Sequence, residues 1–192
     1  MKKYYQIYDD YFLDYGLIGG PELPDGSVYA GKVTDEKDLP GLVYEINVPD
    51  DQECPHFMTG EAVLVSGLFV EVLHDLGVDN FQAFPAVLFN SETGKKRGNY
   101  FLFNVLGLVQ GADLNGSTFD MLMEGDQEGV DVPLVAFNHL VLDSSNLHDL
   151  KMFRLAEDPS TLVMDEYVVN GLKQRRPLDG WGVIFEELET TS

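Results

Sequence analysis

Basic residues are scarce in this chain of 192 residues, which holds 12 lysines and arginines against 33 aspartates and glutamates. The resulting net charge is −21. Affinity for nucleic acid is supplied largely by Lys and Arg contacts to phosphates, and anionic membrane surfaces also attract basic segments. The composition therefore argues against a protein that binds nucleic acid or docks on an acidic membrane. Any protein partner is expected to be basic.

Cysteine and long apolar runs are also nearly absent. Cys54 is the single cysteine, which excludes an intramolecular disulfide framework and a zinc site built on a Cys-x-x-Cys motif. No window approaches the roughly 18 apolar residues of a membrane span. After Lys2 and Lys3, charge interrupts the sequence before the apolar core of a signal peptide accumulates. We therefore expect a cytoplasmic protein.

The hydrophobic pattern predicts an α+β fold with a mixed or antiparallel sheet and two helices. Ser66 is a candidate helix cap, and apolar residues recur at helical spacing from Leu68 to Leu76. A second helix is predicted over residues 166–175. Strands are predicted at residues 42–48, 62–65, 81–89, 100–109, 134–142, 152–155, 162–164 and 181–188.

A weak internal repeat accompanies these elements. Leu73 and Leu172 fall at equivalent places in two segments about 99–100 residues apart, and so do Phe81 and Trp181. The repeat suggests two related strand–helix–strand units, with chance similarity as the alternative. For the domains, we expect a Tyr- and Asp-rich segment of residues 1–60 packed on a main α+β domain of residues 61–192. Together they are expected to form one compact unit.

The sequence offers no convincing catalytic or cofactor motif. The four histidines, His56, His74, His139 and His148, lack the spacing that puts two metal ligands on one helix face. Residues 113–124 resemble a calcium loop, with Asp113 first and Glu124 last, but Thr118 replaces the glycine required at position six. We predict no catalytic residue, no cofactor and no metal, and leave ion binding by that loop open.

Three short segments resemble a known family when taken in order. The first comprises residues 99–106, 112–114 and 117–119; the second, residues 140–143 and 150–155; the third, residues 162–165 and 180–185. Together with the upstream helix and strand, they make residues 60–187 similar to the bacterial polymorphic-toxin immunity protein family eleven, first described as a domain of unknown function. The basic end of the second helix, around Arg175, departs from the glycine-bearing stop expected in that family.

The resemblance implies a cytoplasmic, non-enzymatic protein that binds and neutralises a cognate toxin encoded nearby. Because tyrosine is common in recognition surfaces and complementary charge guides association, we assign partner binding to two acidic patches. An N-terminal patch contains Tyr8, Asp9, Asp10 and Tyr11, although these tyrosines also fit an edge strand with one packed face. A second patch lies in an acidic segment of residues 111–132 and contains Asp120, Glu124, Asp126, Glu128 and Asp131.

Two other functions remain open. One is a small hydrolase that uses His139 or His148 with a nearby carboxylate, which predicts a pocket where a histidine and an acid converge. The other is an acidic decoy that imitates DNA, which predicts competition with DNA for several unrelated basic proteins. The sequence does not identify the toxin or the oligomeric state.

Overall fold

A computed structural model describes residues 2–24, 28–125, 132–147 and 149–191. Within these ranges the helices are α1 (Gly67–Asp75) and α2 (Glu166–Gln174). The strands are β1 (Tyr4–Asp9), β2 (Leu17–Gly19), β3 (Val43–Ile46), β4 (Phe57–Met58), β5 (Leu64–Ser66), β6 (Phe81–Phe89), β7 (Lys96–Val105), β8 (Leu108–Val109), β9 (Thr118–Met123), β10 (Leu134–His139), β11 (Val141–Asp143), β12 (Met152–Leu155), β13 (Leu162–Asp165) and β14 (Val183–Thr191). The predicted α+β class is confirmed.

Twelve of these strands form two six-stranded mixed sheets. The first sheet has the order β2-β3-β6-β7-β5-β4, and the second has the order β11-β14-β1-β13-β12-β8. The remaining strands, β9 and β10, form a separate antiparallel hairpin.

The two sheets repeat one arrangement. Helix α1 connects β5 to β6 in the first sheet, and α2 connects β13 to β14 in the second. In each case an antiparallel strand, β7 or β1, lies between the two connected strands. The outer neighbours also match, because β3 and β11 run parallel to β6 and β14, while β4 and β12 run antiparallel to β5 and β13. The prediction of two related strand–helix–strand units is confirmed.

Strand β1 is an internal strand of the second sheet, hydrogen-bonded to both β13 and β14. The expectation that β1 is an edge strand with one packed face is therefore wrong. Besides its two hydrogen-bonded neighbours, β1 has buried side chains on both faces, since Tyr4 belongs to one hydrophobic cluster and Ile7 to another. The division into an N-terminal segment of residues 1–60 and a main domain of residues 61–192 stays a prediction.

The two helices begin and pack in the same way. The Ser66 hydroxyl accepts the backbone N–H of Phe69, and a carboxylate oxygen of Asp165 accepts that of Val168, so both side chains cap a helix N-terminus. The helices approach closely at Gly171, where an added Cβ would lie 2.5 Å from a methyl carbon of Leu76. Of the helices in the described ranges, neither is long and apolar enough to cross a membrane.

The segment of residues 111–132 contains more regular structure than its composition suggests. Strand β9 crosses it, and the carboxylate of Asp113 accepts the backbone N–H groups of Asn115 and Gly116 in a tight turn. A turn followed by a strand does not have the course of a calcium loop. Throughout the described ranges, no three His, Cys, Asp or Glu side chains cluster in a way that could hold a metal ion.

Candidate functional site

An acidic cleft of about 360 Å³ lies where the β9–β10 hairpin meets the second sheet. It is lined by Gln6 of β1, residues 137–140 of the hairpin and its exit, Asp158, Thr161 and residues 186–189 of β14. We call this group of residues the acidic cleft. Glu186 pairs with Gln6 across the two strands, so the sheet register determines which carboxylates reach the opening.

Buried Glu157 connects the hairpin region to the second sheet. Its backbone carbonyl accepts the N–H of Val135 at 2.9 Å, and its carboxylate accepts the N–H of Ala112 at 3.3 Å. The residue is 4% exposed, and its second carboxylate oxygen has no hydrogen-bond partner among the described residues. Burial raises the pKa of Glu157, although several backbone N–H groups act in the opposite direction.

The N-terminal patch reaches one side of the acidic cleft. The Tyr8 hydroxyl donates to Glu186 at 3.0 Å, and the Tyr8 ring stacks on Tyr11, which is 65% exposed. Asp9 accepts a hydrogen bond from the Thr59 hydroxyl, and Asp10 accepts the backbone N–H of Phe12 at 3.1 Å. These two carboxylates are therefore engaged in local hydrogen bonds.

The second patch reaches the cleft from the hairpin. The side-chain amide of Asn138, which lines the cleft, donates to the carboxylate of Asp120 at 3.2 Å. Glu124 follows β9 and is exposed. Asp126, Glu128 and Asp131 lie outside the described residues. One residue of each patch, Tyr8 or Asp120, is thus hydrogen-bonded to a residue that lines the cleft, while a partner-binding role for each side chain stays a prediction.

The hairpin also exposes apolar side chains beside this acidic surface. Met121, Leu122 and Met123 are consecutive in β9, and all three are large exposed hydrophobic residues. Leu122 is 69% exposed. Exposed apolar residues that lie close together are typical of protein interaction sites. The partner-binding residues predicted from the sequence of this segment are all acidic and do not include these three.

The histidines have different surroundings. His139 lies in the acidic cleft, with Nε2 3.8 Å from a carboxylate oxygen of Glu189, and both side chains are more than half exposed. His74 packs against Phe81, with ring centroids 4.9 Å apart. His148 lies outside the described residues.

His56 forms an arrangement that resembles a catalytic chain. Its Nδ1 is 2.7 Å from the Ser66 hydroxyl, and its Nε2 is 3.8 Å from a carboxylate oxygen of Asp179. However, Ser66 is buried and its hydroxyl caps α1, so a structural role explains the contact. Burial lowers the pKa of His56. The neighbouring Cys54 is buried as well, and burial raises the pKa of its thiol.

A second cavity of about 360 Å³ adjoins the acidic cleft and shares Gln6, Asp158 and Thr161 with it. Arg154 forms part of its wall and is only 1% exposed. The Nη1 atom of Arg154 donates to the carbonyls of Pro159 and Ser160 at 3.0 and 3.1 Å. The guanidinium carbon lies 4.9 Å from the centre of the Tyr29 ring, a cation–π distance.

The other two nitrogens of Arg154, Nε and Nη2, are buried and have no hydrogen-bond partner in the described part of the chain. Burial lowers the pKa of Arg154 to about 10, so the side chain remains charged at neutral pH. The sequence pattern alone does not identify this residue as functional. The available signal was an arginine within the otherwise apolar strand β12, and its burial depends on contacts that the local pattern does not reveal.

Comparison with known proteins gives a clear family assignment. No curated protein matches the chain. The model of an immunity protein family, Imm11, matches residues 24–190 of the 192, which include both helices and every strand after β2 except the last residue of β14. Because the match covers most of the sequence, the chain belongs to the immunity protein family Imm11.

Proposed function

We propose that this protein binds and neutralises a cognate toxin, encoded nearby, through the acidic cleft and its two flanks. Membership of an immunity protein family implies a role against a toxin. The observation that supports the location is the convergence on one cleft of Tyr8, through Glu186, and Asp120, through Asn138. The protein is expected to act in the cytoplasm, where the toxin would be active.

Charge is expected to guide the complex, and exposed apolar side chains are expected to supply much of its affinity. A net charge of −21 attracts a basic partner and accelerates association. Affinity depends more on a few anchors that become fully buried. Tyr11 and Leu122, which are well exposed on the two flanks, are suitable anchors.

The proposed activity is binding without catalysis. The pair of His139 and Glu189 is the observation that favours the alternative hydrolase, because it lies in the acidic cleft. Its 3.8 Å separation exceeds a normal hydrogen-bond distance, and both groups are open to solvent. Because His139 lines the cleft, the His139→Ala variant is expected to lose protection only to the extent that it loses toxin binding.

The test uses the protein and the product of the adjacent gene. We expect a complex whose dissociation constant rises as salt increases from 50 to about 300 mM, because salt screens charge attraction between exposed groups. The double variant with Glu186→Gln and Glu189→Gln is expected to weaken binding about tenfold and to reduce the salt dependence. Its matched control, with Glu36→Gln and Asp38→Asn, removes two exposed charges from a short 3-10 turn outside the cleft and is expected to bind nearly as the wild type does.

Three results would contradict the proposal. The first is the absence both of a complex and of rescue in cells that express the toxin. The second is loss of protection in His139→Ala with toxin binding unchanged, which would favour an enzyme. The third is competition with DNA for several unrelated basic proteins, which would favour a DNA mimic.

A further inference from the structure

We propose that the cavity beside Arg154 is a carboxylate-binding site, which takes a monocarboxylate with a small apolar or aromatic body. The cavity adjoins the surface assigned to the toxin: Tyr8 of the N-terminal patch lines it, and it shares Gln6, Asp158 and Thr161 with the acidic cleft. The ligand is defined by its carboxylate group. A free carboxylic acid and a carboxylate of a bound protein would contact Arg154 in the same way.

The hydrogen bonding of Arg154 leads to this assignment. Nη1 is occupied by two backbone carbonyls, whereas Nε and Nη2 have no partner among the described residues. These two nitrogens form one edge of the guanidinium group, and their parallel N–H bonds match the two oxygens of a carboxylate. Buried donors without partners are uncommon and costly. One carboxylate would satisfy both, and because both nitrogens are covered in this structure, a side chain of the cavity wall must move to admit it.

The hydroxyl groups of the cavity already have partners. The hydroxyls of Ser160 and Thr161 both donate to Asp158, at 2.6 and 2.8 Å. The Tyr29 hydroxyl donates to the carbonyl of Gly60 at 3.0 Å, and the Thr59 hydroxyl donates to Asp9. Of the charged groups in this wall, Arg154 is therefore the one with N–H groups that lack a hydrogen-bond partner among the described residues.

The remaining wall and the surrounding charge define the ligand class. Ile7, Phe57, Val63 and Leu162 line the cavity together with the rings of Tyr8 and Tyr29, so an apolar body has surfaces to contact. Asp158 in the same wall and the net charge of −21 oppose anions. A singly charged, planar carboxylate is repelled less than a doubly charged phosphate and fits the free edge of Arg154.

The first experiment titrates the whole protein with sodium benzoate and sodium acetate, using benzamide and inorganic phosphate as comparisons. We expect saturable binding of benzoate, weaker binding of acetate and at least tenfold weaker binding of benzamide and phosphate. In wild-type protein labelled with nitrogen-15, the Arg154 Nε–H resonance is expected to shift with benzoate and to saturate at the same concentration. This readout requires no variant.

Variants then assign the binding to the guanidinium. Arg154→Met is expected to weaken benzoate binding at least tenfold, and Arg154→Lys is expected to weaken it because lysine keeps the charge but lacks the two-pronged edge. Arg97→Met is the matched control, since Arg97 also donates to two backbone carbonyls, those of Gln52 and Pro49, but lies outside this cavity.

A second arm identifies a carboxylate that comes from a protein, and it rests on the toxin binding proposed above. If Arg154→Met weakens the toxin complex at least tenfold while Arg97→Met does not, and benzoate competes with the toxin, the carboxylate belongs to the toxin. If benzoate binds without affecting the toxin complex, the site serves a free acid. If the toxin complex forms, the proposal is overturned when benzoate leaves the Arg154 Nε–H resonance unchanged and Arg154→Met leaves that complex unchanged. If no toxin complex forms, an unchanged resonance is enough to overturn it.

Discussion

Two buried side chains of opposite charge, Arg154 and Glu157, lie three residues apart and have separate surroundings. Arg154 contacts the carbonyls of Pro159 and Ser160, whereas Glu157 accepts the N–H of Ala112. In the described part of the chain they form no ion pair with each other. Neither has an ion-pair partner among the described residues, which is an unfavourable arrangement for a buried charged group.

A pH-dependent stability difference follows for Glu157. Because burial raises the pKa of Glu157 in the folded state, the folded protein holds this proton more tightly than the unfolded chain does. The stability contributed by protonated Glu157 is present at low pH and is lost as the pH rises through the folded-state pKa. The Glu157→Gln variant should therefore gain stability relative to wild type as the pH rises from the ordinary glutamate pKa of 4.5 towards neutrality.

Urea unfolding of both proteins across that pH range measures the difference. The glutamine amide also changes the free energy of unfolding by an amount that does not depend on pH. That amount cancels when the difference between variant and wild type is compared at two pH values. Glu36→Gln, a change at an exposed glutamate, is the control and is expected to show a smaller pH-dependent difference. A constant difference between Glu157→Gln and wild type across the range would refute this account of Glu157.

At the scale of elements, a side chain caps the N-terminus of each helix, but the capping groups differ. Ser66 caps α1 with a hydroxyl, whereas Asp165 caps α2 with a carboxylate that also lies 3.0 Å from the ammonium group of Lys2. Asp165 thus links the N-terminal segment to α2. It stabilises the helix end through a hydrogen bond and through its charge near the helix N-terminus.

Substitution of Asp165 separates these contributions. Asp165→Ala removes the cap and is expected to lower the free energy of unfolding by about 1–2 kcal/mol. Asp165→Asn keeps an oxygen that can accept the N–H of Val168, so we expect a smaller loss, due mainly to the missing ion pair with Lys2. Equal losses in the two variants, measured by urea unfolding, would mean that the hydrogen bond to Val168 contributes little.

The elements also show what local sequence can predict. Both helices and the strand Phe81–Phe89 were predicted within a residue or two, because periodicity and capping residues are local signals. Strand β9 was missed because most of its side chains are exposed, which leaves no alternating apolar face in the sequence. The predicted strand over residues 134–142 is divided into β10 and β11, which pair with different partners.

The candidate site was predictable only in part. Its acidic and aromatic character was visible in composition, but the meeting of Tyr8 with Glu186 and of Asn138 with Asp120 joins residues that are distant in sequence or paired across a hairpin. The free edge of Arg154 likewise depends on tertiary contacts. Such contacts carry no periodic signal in one sequence.

At the scale of the whole molecule, the chain divides into a first half from β1 to β6 and a second half from β7 to β14. The first strand of each half lies in the sheet that contains the helix-connected strands of the other half. Strand β1 begins the first half but lies in the second sheet, while β7, its counterpart, lies in the first sheet beside β6. The loop between β6 and β7 makes a covalent hairpin, whereas β14 and β1 make the equivalent pair from the two ends of the chain. Tyr4 pairs with Leu188 in that unlinked pair.

A circular permutant should therefore fold. We expect that joining residue 191 to residue 2 through about four residues and opening the chain in the exposed turn at Gly94 preserves the fold. Its free energy of unfolding should stay within about 1 kcal/mol of the wild-type value, since short loop closures differ little in entropy. Circular dichroism and urea unfolding test this expectation.

The control is a linear chain that lacks residues 2–10, which removes the internal strand β1 and is expected to abolish cooperative unfolding. If the permutant aggregates while this deletion folds normally, the proposed equivalence of the β14–β1 and β6–β7 pairs is wrong.

The position of β1 between β13 and β14 also orders events during synthesis. Residues 4–9 leave the ribosome before residues 183–191, which form one of the two strands beside them. Until residues 183–191 emerge, the edge of β1 that pairs with β14 therefore has no hydrogen-bonded strand. A chain that ends before residue 183 lacks β14, so β1 keeps only one of its two neighbouring strands and β11 loses the strand that it pairs with.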